Sequence, residues 1–385
     1  MKKIAILGST GSIGTQAVNV VRRYPDRLTI IALAVGNNIQ LLDSQIREFS
    51  PLVVSVHGPS EASALSDLIS DLERKPEILY GTDGLTAISS IDNVDSILNG
   101  VVGSVGFLPT LTALEAGREV LLANKESLVM AGDLIRGLLD SGNGKIIPVD
   151  SEHSAIYQCL DGKSHTNLSR IILTGSGGPF RTLPKEQFKN ITLEQALNHP
   201  TWKMGPKITI DSATMMNKGL EIIEACYLFN LPPDKIDVVI HPSSIIHSFV
   251  EFDDGCMLAQ LSYPTMEVPI QYALLSGERM PTDVRPLDLE EIGSFEFFKP
   301  DYEKFPALQL ARQALEKGGT SPAVLNASNE EAVQLFLENK IAFTDIAELV
   351  RSALEISHDH PPSVDGILEA DSLAREHVKN MAVSK

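Results

Sequence analysis

A chain of 385 residues with 32 basic and 50 acidic side chains carries a formal charge of −18, which opposes a surface built to neutralise a phosphodiester backbone or an anionic bilayer. At roughly 100–200 residues per domain the chain has room for two or three domains, so one small module is excluded. Hydrophobic residues make up 43%, ordinary for a globular protein, and no apolar run approaches the ~20 residues of a membrane span.

The opening MKKIAILG couples two lysines to an apolar run, but the run stops at Gly8 and no small-residue cleavage site follows. It is expected to be structural, in a cytoplasmic protein. From there to about Asp150, KIAILG, LTIIALAVG, PLVVSV, ILNGVVG, REVLLAN and GKIIPVD alternate with amphipathic stretches. This is the pattern of right-handed βαβ units and a mostly parallel sheet, so residues 1–150 form an α/β domain. Over 151–285, LSRIILTGSG, KITIDS, DVVIHP, IIHSFVEF and CMLAQLSYP read as strands around a helix from about Thr214 to Phe229. Several lack room for a crossover, so an α+β domain with antiparallel pairs is expected, its open sheet face suited to a homodimer. Residues 286–306, rich in proline and acid, read as a linker. Beyond it, Leu308, Ala311 and Leu315 stop at Gly318-Gly319, and Ile346, Leu349, Val350, Ala353 and Leu354 form a helical stripe. With Ser328 and Glu331 as a capping box, residues 307–385 read as a helical bundle. Cys159, Cys226 and Cys256, odd in number and widely spaced, match no disulfide framework or CxxC pattern and are expected as buried small side chains in a reducing compartment.

The first strand runs into GSTGSIG, where Gly8, Gly11 and Gly14 precede a helix from about Thr15. Such glycines permit a tight turn and close approach of backbone to a pyrophosphate at the helix N-terminus, with Thr10, Ser12 and Ile13 as further phosphate-facing groups. The spacing is GxxGxxG, so a plain α/β turn stays open. The second strand ends in Gly36, Asn37 and Asn38, without a carboxylate to repel a 2′-phosphate, which favours NADP over NAD unless this is an uninformative polar loop.

Asp150 and Glu152 stand two residues apart where a strand is expected to meet a loop, so both side chains leave one face, and oxygen donors suit Mg²⁺ or Mn²⁺. On the helix after Thr214, Asn217, Lys218, Glu221 and Glu224 share an arc of about 120°. That face suits a phosphorylated substrate beside a metal, or is an ordinary solvated surface. NHPTWKMGPK holds His199, the chain's only tryptophan, Trp202, and Met204 between prolines and glycines, better placed to close over a ligand than to be core. LTGSGGPF, with Gly175, Ser176, Gly177 and Gly178, can hold a phosphate or be a simple turn. Asn124, Lys125 and Glu126 follow a strand of the first domain, where open α/β sheets bind ligands and Lys125 can neutralise oxyanions.

Together, GSTGSIG, LLANKESLVMAG, PVDSEHSAI, LTGSGGPF, HPTWKMG and KITIDSATMMNKGLEIIEA resemble the 1-deoxy-D-xylulose 5-phosphate reductoisomerase family over essentially the whole chain. The resemblance implies a Rossmann-like NADPH-binding domain, a catalytic and dimerisation domain, and a C-terminal helical domain. It implies rearrangement of a 2-ketose phosphate to a branched aldehyde phosphate and its reduction to 2-C-methyl-D-erythritol 4-phosphate. By resemblance Asp150, Glu152 and Glu221 bind Mg²⁺, Mn²⁺ or Co²⁺, while Ser176, Ser212, Asn217 and Lys218 hold the substrate phosphate. Lys125, His199 and Glu224 match positions around the reacting carbons, with Ser151 also at the substrate. Trp202 and Met204 match a lid, and Met204 and Gly205 fall at the cofactor. Asn37 stands where relatives often carry lysine or serine, and Lys203 and Lys207 flank Met204. The readings left to compete are a metal-free NADP dehydrogenase acting on a semialdehyde and a nucleotide-sensing module.

Overall fold

The computed structural model describes residues 1–160, 167–202, 204–356 and 362–383; Lys203 lies outside them. They divide into two compact units, Met1–Ser127 with Ile135–Ser154 and Thr265–Val284, and Leu128–Leu134 with Ala155–Pro264 and Arg285–Lys385. The stretch expected as one domain over 151–285 is thus shared between them, because 265–284 packs with the N-terminal residues. Its helix Glu267–Leu274 lies along the helix Ser12–Arg23, where Arg23 pairs with Glu267 and Asp283 and Arg27 with Glu278.

In the first unit β1 (Lys2–Leu7), β2 (Leu28–Ala34), β3 (Val53–Val56), β4 (Glu77–Tyr80), β5 (Ser96–Asn99), β6 (Glu119–Leu122) and β7 (Lys145–Pro148) form one parallel sheet in the order β4-β3-β2-β1-β5-β6-β7. Ile4 to Leu7 are fully buried, as a central strand covered on both faces must be, which is why β1 reads as a continuous apolar run. Six strands lie where the sequence places them. The seventh, β4, is an edge strand of four residues whose ends are exposed, too short to show a period.

In the second unit β8 (Leu168–Gly175), β9 (Ile236–Ile240), β10 (Ile246–Phe252) and β11 (Met257–Leu261) are ordered β11-β10-β8-β9. The pairs β10–β11 and β10–β8 are antiparallel, whereas β8–β9 is parallel because helical chain separates those strands, as a parallel connection requires. One apolar core runs from this sheet through the helix Met216–Phe229 into the helices Ala307–Lys317, Ser321–Leu337, Phe343–Ile356 and Val364–Val383. Phe343 anchors it, meeting Phe180, Phe188 and Phe336 at ring centroid separations of 5.2, 6.1 and 5.8 Å.

Three expectations are corrected. KITIDS is not a strand but most of the helix Pro206–Ala213, where Pro206 opens the first turn and buried Ile210 faces the core; packing overrides the strand preference of Ile208, Thr209 and Ile210. Ser328 starts no helix; it lies inside Ser321–Leu337, its hydroxyl donating back to the Val324 and Leu325 carbonyls, the alternative bonding that makes serine ambiguous in sequence. Cys159 and Cys226 are buried, but Cys256 is exposed at the turn between β10 and β11. No helix among the described residues is long and apolar enough to cross a membrane.

Candidate active site

The strand order of the first unit reverses at β1, the switch point where open α/β sheets bind ligands. There the glycine turn enters the helix Ser12–Arg23 three residues earlier than expected, with Gly11 as a cap that supplies no side-chain acceptor and no acidic residue in the first turn. Gly11 and Ser12 are exposed, Thr10 and Ile13 partly so, leaving backbone N–H groups and the positive helix end open to an anion. Gly14 is irreplaceable by geometry: a Cβ there would sit 2.2 Å from the Gly8 carbonyl oxygen. Ser9, fully buried, donates to Gln45 Oε1 at 2.7 Å while Gln45 Nε2 returns a bond to the Ser9 carbonyl at 3.0 Å, so the turn is held from behind by a residue that motif reading missed. Gly36 and Asn37 are exposed, and Asn38 caps the helix Ile39–Phe49 through Leu41 N–H at 3.2 Å.

Asn124 caps the helix Lys125–Asp140, and its amide also reaches the Val101 and Gly103 carbonyls, each at 2.9 Å, fixing the loop after β5. Lys125 thus leaves a buried helix start and pairs with Asp150. Asp150 lies just beyond β7 and immediately before the helix Ser151–Leu160, so Glu152 sits in the first helical turn and strand alternation does not orient the pair. The oxygens still converge, since a carboxylate oxygen of Asp150 lies within 4.8 Å of one from Glu152 and of a ring nitrogen of His153. Ser151 donates to Glu152. Such an oxygen-rich pair, with Lys125 as its nearby cation, fits a hard divalent ion.

In the second unit the Gly175–Gly178 turn follows β8. A Cβ on Gly175 would stand 3.0 Å from Lys218 Cε, and one on Gly178, whose φ is +66°, would stand 2.7 Å from the Ser212 carbonyl oxygen. Glycine is required at Gly178 by its positive φ and the backbone 2.7 Å away, whereas a side chain at Gly175 would need Lys218 to give way slightly. Ser176 and Ser212 converge on His199, whose Nε2 lies 3.2 Å from one hydroxyl and 3.0 Å from the other. His199 Nδ1 accepts backbone N–H groups from Thr201 at 3.1 Å and Trp202 at 2.9 Å. Because Nδ1 accepts, the neutral ring carries its proton on Nε2 and presents it to the serines. Burial holds this imidazole below its ordinary value of 6.5.

Met215, at φ +63°, makes the sharp joint between the helices Pro206–Ala213 and Met216–Phe229, a backbone state that non-glycine residues adopt at a cost and often near functional sites. It brings Ser212 and Lys218 to adjoining helix ends. The polar face of the second helix is not a solvated surface: Lys218 is 3% exposed, and Glu221 and Glu224 are fully buried. Glu221 accepts from both Asn217 and Lys218. Trp202 and Met204 are partly buried, with the indole centroid 6.4 Å from the His247 ring, and Gly205 is exposed. The sequence-predicted residues thus gather as Lys125, Asp150, Ser151 and Glu152 in the first unit, and as Ser176, His199, Ser212 and Lys218 in the second, with Asn217 and Glu221 on the helix of Lys218.

Family profiles match three stretches: 1-deoxy-D-xylulose 5-phosphate reductoisomerase over residues 4–132, its C-terminal domain over 146–229, and a DXP reductoisomerase C-terminal domain over 261–377. The 1-deoxy-D-xylulose 5-phosphate reductoisomerase of Pelodictyon phaeoclathratiforme is 52% identical over 98% of this chain and 99% of its own. That of Microcystis aeruginosa is 49% identical over 100% and 99%. A crystal structure of DOX-P reductoisomerase in complex with NADPH, fosmidomycin and magnesium superposes with a TM-score of 0.94 at 42% identity, covering 99% of this chain and 98% of that one. The Zymomonas mobilis enzyme in complex with NADPH gives 0.93 at 39%, covering all of both. By sequence and by fold, over its whole length, the chain belongs to the 1-deoxy-D-xylulose 5-phosphate reductoisomerase family.

Proposed function

We propose that this protein is the NADPH- and divalent-metal-dependent enzyme that rearranges 1-deoxy-D-xylulose 5-phosphate and reduces the product to 2-C-methyl-D-erythritol 4-phosphate in non-mevalonate isoprenoid biosynthesis. The observation that carries it is full-length membership of the family joined to a hydroxyl, imidazole and ammonium cluster of phosphate-binding type in the second unit.

In this reading residues 1–150 bind NADPH, which supplies the hydride, on the open helix end after β1, with Gly36, Asn37 and Asn38 toward the adenosine ribose and Asn124, Lys125, Glu126, Met204 and Gly205 toward the nicotinamide. Ser176, Ser212, Asn217 and Lys218 grip the substrate phosphate, and His199, which the resemblance sets near the reacting carbons, is assigned to the same grip because its Nε2 faces the Ser176 and Ser212 hydroxyls. That grip lies away from the reacting carbons and supplies binding energy for orientation and for closure of the 199–207 segment with Trp202. Asp150 and Glu152 of the first unit and Glu221 of the second hold one Mg²⁺ or Mn²⁺. A bound ion would chelate neighbouring substrate oxygens and stabilise the negative charge that develops there. Lys125 and Glu224 serve proton and charge balance near the reacting carbons, with Ser151 beside them. The three free cysteines, none in a disulfide, support a cytoplasmic location. Exposed Met257 and Leu258 on the edge strand β11, with Phe297 and Phe298, also exposed, support homodimerisation through the second sheet.

The test follows nicotinamide absorbance with protein, NADPH, Mg²⁺ and 1-deoxy-D-xylulose 5-phosphate, and Mn²⁺ binding by calorimetry. Glu221→Gln is expected to lower single-turnover rearrangement and reduction together, by on the order of a hundredfold, and to weaken Mn²⁺ binding. Full activity in the variant, or turnover that survives exhaustive chelation of the wild type, contradicts the metal assignment.

A further inference from the structure

We propose that Asn329, on the C-terminal helix Ser321–Leu337 and far in sequence from every predicted site residue, is a positioning residue for the substrate phosphate, acting through Asp211 on Ser212. The proposal rests on the phosphate reading given above for Ser176, His199, Ser212 and Lys218.

Asn329 is fully buried, and its Nδ2 donates to Asp211 Oδ1 at 2.8 Å. Asp211, 1% exposed, also pairs through Oδ2 with Lys207 at 2.9 Å. A buried carboxylate persists only with such partners. Here they matter for a second reason: Ser212 is the next residue, and a phosphate at its hydroxyl must not meet an uncompensated negative charge close by. The Asn329 Oδ1 has no hydrogen-bond partner among the described residues. Turning the amide over would set oxygen against oxygen at the carboxylate, so the orientation is unique. An asparagine whose one bond inside a helix bundle goes to a distant carboxylate serves that carboxylate better than it serves the packing.

The helix that carries Asp211 needs this anchor. Pro206–Ala213 has only eight residues, and Ile208, Thr209 and Ile210 favour a strand. Two turns of such sequence do not hold themselves in register, so the buried Ile210 and the Asp211–Asn329 bond set where the helix ends. Its end matters in two ways. The Ser212 hydroxyl reaches His199 Nε2 at 3.0 Å, and the Ser212 carbonyl lies against Gly178, so a shift of this end displaces both the imidazole contact and the glycine turn.

The test compares Asn329→Ala and the shape-keeping Asn329→Leu with the exchange Asp211→Asn/Asn329→Asp, which reverses the polarity of the same hydrogen bond and keeps one carboxylate between the helices. In the full-length enzyme, KM for 1-deoxy-D-xylulose 5-phosphate and Ki for inorganic phosphate are expected to rise together in the single variants, by about tenfold. The Kd for NADPH is expected to stay unchanged, and the exchange to recover most of the loss. Unchanged KM and Ki in either folded single variant, or an NADPH Kd that worsens in parallel, overturns the proposal. Ser212→Ala separates the two levels: if it leaves phosphate inhibition intact, the phosphate reading itself fails, whereas weakening by Ser212→Ala but not by the Asn329 variants sinks the positioning role alone.

Discussion

At the scale of single residues, His199 links the loop behind it to the hydroxyls in front of it. Two backbone N–H groups end on Nδ1 and two serines face Nε2, so protonating Nδ1 breaks the loop contacts without touching the serine side. Burial depresses this imidazole below 6.5. The folded loop therefore binds its proton later than the released loop does as the pH falls. The order it confers is complete above 6.5 and is lost as the pH drops through that value toward the lower folded one. Trp202 is the only tryptophan, so intrinsic fluorescence reports the loop directly: emission is expected to be constant at neutral pH and to change on acidification below 6.5. His199→Asn should remove that titration. A persisting change would show that His199 is not the group that titrates. Burial at Lys218, Glu221 and Glu224 is the residue-level fact that sequence could not decide. A polar helix arc looks the same whether it faces water or a ligand, and only neighbouring elements choose between them.

At the scale of elements, period and turn chemistry were legible wherever local and tertiary preferences agreed. The glycine turn after β1 is such a case, because its requirements are short-range sterics. Gly14→Ala is expected to push the helix start from the Gly8 carbonyl, 2.2 Å from the new Cβ, and so to weaken NADPH binding about tenfold or more, or some 1.4 kcal/mol. Fluorescence titration with NADPH checks it, and wild-type affinity would show that the turn accommodates the methyl group. KITIDS reads as a strand because its β-branched residues favour one locally, while Pro206 and the burial of Ile210 settle a helix. The helix Ser151–Leu160 is not legible from Asp150 and Glu152, because its signal lies in the apolar residues that follow, such as buried Ala155 and Ile156.

At the scale of the molecule, the chain does not build its units in order. Residues 265–284 return to the first unit, tied by Arg23, partly buried, to Glu267 and Asp283, and by the Tyr24 hydroxyl to the Pro281 carbonyl. Arg23→Ala is expected to cost about 1 kcal/mol, since Asp283 is largely exposed and contributes little. It is also expected to speed proteolysis within 265–284 at unchanged NADPH affinity. A cleavage rate equal to wild type would show that apolar contacts alone hold the segment. By itself the amino-acid order determined the α/β class, six strands of the parallel sheet, the glycine turn, the helices at 307–317 and 343–356, and the family, because each follows from periodicity, sterics or a run of adjacent residues. Only the tertiary structure decided that 265–284 joins the first unit, that KITIDS is helical, that the acidic face of Met216–Phe229 is buried, and that Asn329 reaches Asp211. Those outcomes depend on which distant surfaces meet, and one-dimensional spacing carries no record of that.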